Sequence, residues 1–304
     1  MRLFLSALAS LLVLPVAFAE NQSSSAPKAQ TAAPSEFSWI FSLLPKPFQK
    51  NPSLEMTVIT EVSEAGKKLP PVSPDKPAYY VPQTGGYVQM GDVWAGEKTL
   101  TQAEIERILS KALAAHGYLP AKPPEQPPTL VVVYMWGSHS LIVGDNMTEF
   151  PDRVVNNVLE RATLVGGRKF AKELSLLYQD AADQFAAKSL IYFDPVNAFK
   201  LHSPKNEFLV DQATDDCYYV VATAYDYAAL AQNRRILLWI TRMTVNSQGI
   251  SQSQSLPTLI ASAAPYFGRE MAEPEVLIKR TRNVQIYFGT PTVVEMPTAA
   301  PTRK

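Results

Sequence analysis

The clearest hydrophobic pattern in the chain predicts an amphipathic helix from Thr101 to His116. Thr101 and Glu104 form a T-x-x-E capping box, in which each side chain satisfies a backbone donor at the helix start. Gly117 follows at the position where helices commonly end in a left-handed residue. The apolar residues recur at the spacing of one helix face, at Ile105, Ile108, Leu109, Ala112 and Leu113.

One uninterrupted β pattern precedes this helix in the chain, and another follows it. The stretch Leu54 to Val62 is rich in β-branched residues and predicts a strand. The run TLVVVYMW, at residues 129–136, has no polar residue after its first, which is typical of a strand covered on both faces. Between them, Gly85-Gly86 separates two short Tyr/Val runs and predicts a hairpin. A strand, a helix and a buried strand in succession indicate a βαβ unit.

The second half of the chain predicts both helices and strands. We expect a helix at 152–162, another after Gly166-Gly167, and a short one at 256–267. Two Tyr/Val/Ile-rich runs, at 216–226 and 235–245, predict an antiparallel strand pair, and 283–289 a final edge strand. The predicted fold class is therefore α/β (α+β), with a mixed β-sheet covered by helices over residues 53–290.

Both ends of the chain predict segments outside this domain. Residues 1–19 have one basic residue, an apolar core and an Ala-x-Ala site, which is the pattern of a cleaved signal peptide. Residues 20–52 predict a flexible linker containing an apolar segment at 37–48, which docks on the domain or on a membrane interface. Residues 291–304 predict a disordered tail. We expect an exported, periplasmic or extracellular protein with no transmembrane segment after signal removal.

Charge and composition exclude several functions. The 28 basic and 28 acidic residues become 27 and 28 without Arg2, a net charge of −1, which argues against nucleic acid as a partner. Cys217 is the single cysteine, so no disulfide is expected within the chain. The three histidines have no metal-site spacing, and we expect no metal and no cofactor. A calcium site from Asp215, Asp216 and Asp226 is less favoured than solvated strand ends.

The stretch GSHS, at residues 137–140, is the one place where catalytic residue types gather. Ser138, His139 and Asp145 could supply a nucleophile, a base and an orienting acid. Adjacent residues of an extended segment point to opposite sides, however, so Ser138 and His139 should face apart. The G-x-S-x-G elbow that exposes a serine on a sharp turn is also missing from this stretch. We therefore favour a structural role for these residues and retain them as weak catalytic candidates.

The order of several motifs resembles uncharacterised exported bacterial proteins and, more distantly, small envelope lipoprotein domains. The matching features are Gly117-Tyr118 after a helix, Asp226 after a strand, and Leu238-Trp239 in the next strand. The chain lacks the cysteine that lipidation would need near residue 19. We expect a non-catalytic interaction or scaffold protein that contacts another protein or an envelope component. The alternatives are a secreted hydrolase using His139 and a carbohydrate- or lipid-binding protein using its Tyr and Trp residues.

The signal peptide predicts that the exported protein begins at Glu20, because Ala17 and Ala19 occupy the small-residue positions of the cleavage site. N-terminal sequencing and intact-mass measurement of the protein recovered outside the cytoplasm check this. Recovery with Met1 in place, or with an added lipid mass, would contradict it.

Overall fold

The computed structural model describes residues 52–91, 99–140, 151–186 and 203–280. A seven-stranded sheet runs through these residues. Its strands are β1 (Ser53–Val62), β2 (Ala78–Met90), β3 (Tyr118–Pro120), β4 (Leu130–His139), β5 (Cys217–Asp226), β6 (Leu237–Asn246) and β7 (Glu275–Arg280).

The sheet is mixed, as the sequence predicts. Its strand order is β3-β2-β4-β5-β6-β1-β7. Strand β2 pairs in parallel with β3 and β4, and every other neighbouring pair is antiparallel. The parallel pairing of β2 with β4 confirms the βαβ unit, because a parallel connection needs a crossover element between the strands.

Helices cover both faces of the sheet. They are α1 (Gln102–Ala114), α2 (Pro151–Ala186), α3 (Pro204–Thr214), the short α4 (Tyr227–Ala231) and α5 (Gln252–Ala263). Helices α1 and α5 pack with the sheet around the larger apolar core, which contains Tyr80 and Trp239. Helices α2 and α3 form a smaller core on the opposite face. The predicted covering of β4 on both sides is confirmed.

Helix α1 has the predicted boundaries and cap. The Thr101 hydroxyl accepts the backbone N–H of Glu104, and the Glu104 carboxylate accepts the N–H of Thr101 at 2.9 Å. Gly117 follows the helix with φ of +88°. The buried residues are Ile105, Leu109, Ala112 and Leu113, the face that the apolar spacing predicts.

Helix α2 bends at the glycine pair. Gly167 has a non-helical φ of +78°, so the predicted break is present, and Pro151–Ala186 consists of two helices that meet at a kink. The Glu61 carboxylate of β1 accepts the backbone N–H of Arg168 at 3.1 Å. This bond supplies an acceptor to the first turn after the bend, where helical N–H groups lack partners of their own.

Several predictions are wrong in detail. Gly85-Gly86 does not form a hairpin, since β2 continues through it with a bulge between Thr84 and Gly86. Strand β7, at one edge of the sheet, was not predicted, whereas the edge strand predicted at 283–289 lies outside the described residues and stays a prediction. Helix α5 begins four residues before the predicted 256, and α3 was not predicted.

The predicted terminal segments, at 1–19, most of 20–52 and 291–304, also lie outside the described residues. Among the described helices, none is both long and apolar enough to cross a membrane.

Candidate functional site

The structure places the two described catalytic candidates on opposite faces of β4. The Ser138 hydroxyl lies 3.3 Å from the Tyr87 hydroxyl, which belongs to the side covered by α1 and α5. The His139 imidazole faces α2, with its Nε2 atom 3.5 Å from a carboxylate oxygen of Glu160. Both residues are buried. The third candidate, Asp145, lies outside the described residues.

Gly137 is explained by a close contact across the strand. The Tyr219 hydroxyl, from β5, passes Gly137 and donates a hydrogen bond to the Val88 carbonyl oxygen of β2 at 2.9 Å. A Cβ atom on Gly137 would lie 1.7 Å from that same oxygen. The glycine of the GSHS stretch is therefore needed for strand packing.

His139 belongs to a row of polar side chains beneath α2 and α3. It pairs directly with Cys217 of β5, and Cys217 pairs with Asn246 of β6. Directly paired residues of antiparallel strands point to the same face. All three are buried. The row therefore lies where β4 ends, β5 begins and β6 ends.

Arg161 enters this region from α2 and has no exposed surface. Its Nε atom donates to the Ala213 carbonyl oxygen at 2.6 Å, close to the C-terminal end of α3. The last carbonyls of a helix lack intrahelical partners and carry its negative dipole end, so a guanidinium suits this position. In the described part of the chain, both Nη atoms of Arg161 lack a hydrogen-bond partner.

Burial and charge set the protonation of the row. Burial, together with the positive charge of Arg161, lowers the pKa of His139 from 6.5 to about 4. The imidazole is therefore neutral at physiological pH. Burial raises the pKa of the Cys217 thiol to about 12, although Arg161 opposes the rise. The thiol is protonated, and a protonated thiol is a poor nucleophile.

Two carboxylates lie next to the row of His139, Cys217 and Asn246, and a third lies at the far end of β5. The side chain of Glu160 is 64% exposed, and its 3.5 Å separation from His139 Nε2 is longer than a normal hydrogen bond. Asp215 accepts a hydrogen bond from Asn246 Nδ2 at 2.9 Å. Asp226 is at the other end of β5, where it accepts the N–H of Ala229 as the cap of α4. The three aspartates considered for calcium are therefore not brought together.

Apart from this row, the described residues form a cleft but no cluster of metal ligands. The described residues contain no cluster of three or more metal-ligating side chains. A cleft of about 300 Å³ lies between the bend of α2 and the start of α3. Its charged lining residues are Lys169, Glu173, Lys205 and Glu273, which balance in sign, and Lys205 pairs with Glu273 at 2.8 Å. The cleft thus has no net charge with which to select an ion.

Sequence reasoning missed Arg161, although the pattern contained a usable indication. The buried stripe of the first half of α2 is Val158, Ala162 and Val165, and Asn157 and Arg161 flank it at a spacing of four. A polar pair beside an apolar stripe indicates polar groups near the core. The C-terminal end of α3, which Arg161 contacts, was not predicted at all.

Comparisons with protein families and with curated proteins suggest no function for the chain. No protein-family model matches the chain, and no curated protein matches it.

The lowered pKa of His139 predicts a loss of stability on acidification. Below pH 6.5 the unfolded imidazole takes up a proton, whereas the folded one stays neutral until about pH 4. The unfolded state then binds more protons, so the free energy of unfolding falls as pH decreases from 6.5 to 4, by on the order of 3 kcal/mol. Urea unfolding at several pH values checks this.

His139→Gln should remove that part of the pH dependence, because glutamine does not titrate. His116→Gln, two residues beyond the end of α1, is the matched control for removing a histidine away from the row. Equal slopes in the wild type and His139→Gln would show that His139 is not held neutral by the fold.

Proposed function

We propose that the chain is an exported, envelope-associated interaction or scaffold protein that acts by binding and has no catalytic role. The observation that carries this proposal is the state of its most reactive groups. His139 and Cys217 are buried beneath helices, one as a neutral imidazole and the other as a protonated thiol. Groups held in this way stabilise or shape a fold and are not presented to a substrate.

The hydrolase alternative receives less support. A nucleophile and its base must lie within hydrogen-bond reach, but β4 directs Ser138 and His139 to opposite faces. A base is also most effective when its pKa is near the working pH, and that of His139 is about 4. Both conditions disfavour a Ser-His pair at this strand end.

The carbohydrate- or lipid-binding alternative depends on exposed aromatic rings. Most of the described tyrosines and tryptophans of the sheet are core residues, and Trp136 stacks with Tyr134 inside the protein. Among the described aromatic residues, Tyr227 has the largest exposed fraction, 38%. A single ring at a short helix is a small platform, since sugar stacking uses broad aromatic faces.

The outer edge of β2 is the surface that we assign to partner contact. Strand β3 pairs with β2 only from Ala78 to Tyr80, and among the described residues no strand pairs with that edge from Val81 to Met90. Unpaired backbone groups on a sheet edge can accept an extended segment as an additional strand. We therefore propose an extended protein segment as the partner. Pro82 and the bulge between Thr84 and Gly86 limit indiscriminate pairing along this edge.

Site-specific photo-crosslinking tests this function. A photoreactive residue at exposed Gln83 of β2 should give one discrete crosslinked protein in the native host. The same residue at Gln232, which is exposed after α4, is the matched control and should give none. No product at Gln83, or equal products at both positions, would contradict the edge assignment.

A hydrolase screen on the same purified protein tests the other half of the proposal. We expect no hydrolysis of esters, peptides or glycosides by the wild type. An activity that a folded His139→Gln variant loses would overturn the binding role and favour the hydrolase.

A further inference from the structure

Arg161 is a buried cation whose hydrogen bonding is incomplete. Its Nε is satisfied by Ala213, but Nη1 and Nη2 are inaccessible to solvent and have no partner among the described residues. A guanidinium has five N–H donors, four of them on the two Nη atoms. Burying such a group without acceptors is costly, and native proteins nearly always supply them.

Three neighbours of Arg161 also have buried polar atoms without a partner among the described residues, namely Asn157 Oδ1, Gln212 Oε1 and both ring nitrogens of His139. Asn157 lies one turn before Arg161 on α2. Gln212 precedes Ala213, whose carbonyl Arg161 contacts, and His139 Nε2 lies 3.5 Å from Glu160, the residue before Arg161. Each is more than nine-tenths buried and has at least one polar side-chain atom without a partner in the described residues. Four incomplete residues in one region indicate a missing polar group that is common to them.

The charges of the region indicate what is missing. Asp215 and Asp216 are near enough to favour the charged form of Arg161, and Asp215 already accepts a hydrogen bond from Asn246. Burial nevertheless lowers the pKa of Arg161, so these carboxylates compensate only part of the burial cost. Further acceptor oxygens facing the Nη atoms would complete the compensation.

We propose that Arg161 anchors a buried binding site for a small carboxylate. The two Nη atoms present parallel donors in a rigid fork that matches the two oxygens of a carboxylate. Neutral His139 has one N–H to donate. As placed, Asn157 and Gln212 have unpartnered oxygens, so each amide has to flip to turn its NH₂ group towards the ligand. This site is independent of the β2 edge and of the partner proposed there.

Acetate is the probe for this site. Because Arg161 has no exposed surface, binding requires local opening, and equilibrium thermal unfolding after long incubation is the suitable readout. At pH 7, sodium acetate should raise the wild-type Tm by several degrees more than sodium chloride at equal ionic strength, and the rise should saturate. Equal Tm values in the two salts would overturn the proposal.

Arginine variants assign the effect to the site. Arg161→Met should abolish the acetate-specific rise, and Arg161→Lys should reduce it because the fork is lost. Arg234→Met, at an exposed arginine, is the matched control and should retain the full rise. An acetate-specific rise that persists in Arg161→Met would contradict the assignment.

A measurement on the wild type covers the case in which Arg161→Met does not fold. In protein labelled with ¹⁵N-arginine, acetate should shift the side-chain resonances of one arginine saturably, and chloride should not. Arginine side-chain resonances that respond to neither salt, or equally to both, would overturn the proposal.

Discussion

The alternation of side chains along the central strands β4 and β5, under helices on both faces, is the constraint on which the rest of this structure depends. Every second residue points into the core below α1 and α5, as Tyr134 and Trp136 do. The residues between them point towards α2, as His139 and Cys217 do. Because both faces are largely covered, most residues of both sets are buried, and a buried polar residue at these positions must be satisfied inside the protein.

The face beneath α2 satisfies this requirement mainly with polar pairs between strands and helices. Thr57 and Thr244 share a hydrogen bond between β1 and β6. Glu61 accepts hydrogen bonds from Arg242 of β6 and from Arg168 at the bend of α2. Burial alone would raise the pKa of Glu61, but the hydrogen bond and charge of Arg242 outweigh it and lower the pKa. The polar groups around Arg161 differ, because their atoms are not all satisfied by one another. These groups belong to His139, Asn157 and Gln212.

The sequence predicted the elements whose determinants are local. Helix α1 was predicted to within two residues because its cap, apolar stripe and terminating glycine are all contained in one short stretch. Strand β4 was predicted as central because an unbroken apolar run has few alternatives. The Gly85-Gly86 prediction was wrong because glycine pairs occur both in tight turns and at bulges, and only the pairing with β4 distinguishes them.

The row of buried polar residues at the ends of β4, β5 and β6 could not be predicted in the same way. His139, Cys217 and Asn246 become neighbours through strand register, which connects residues far apart in the chain. Arg161 joins them only because α3 ends beside it, and the weak amphipathicity of α3 left that helix unpredicted. The opposition of Ser138 and His139, by contrast, follows from strand geometry alone, and sequence reasoning reached it.

The reactivity of Cys217 towards a thiol reagent tests most directly whether this row is sealed beneath α2 and α3. Cys217 is the single cysteine of the chain, so the whole signal reports on the cluster. We expect the native protein to react orders of magnitude more slowly than an unfolded control, with rates that rise with denaturant as the protein unfolds. Labelling of the native protein at the rate of the unfolded control, independent of denaturant, would contradict it.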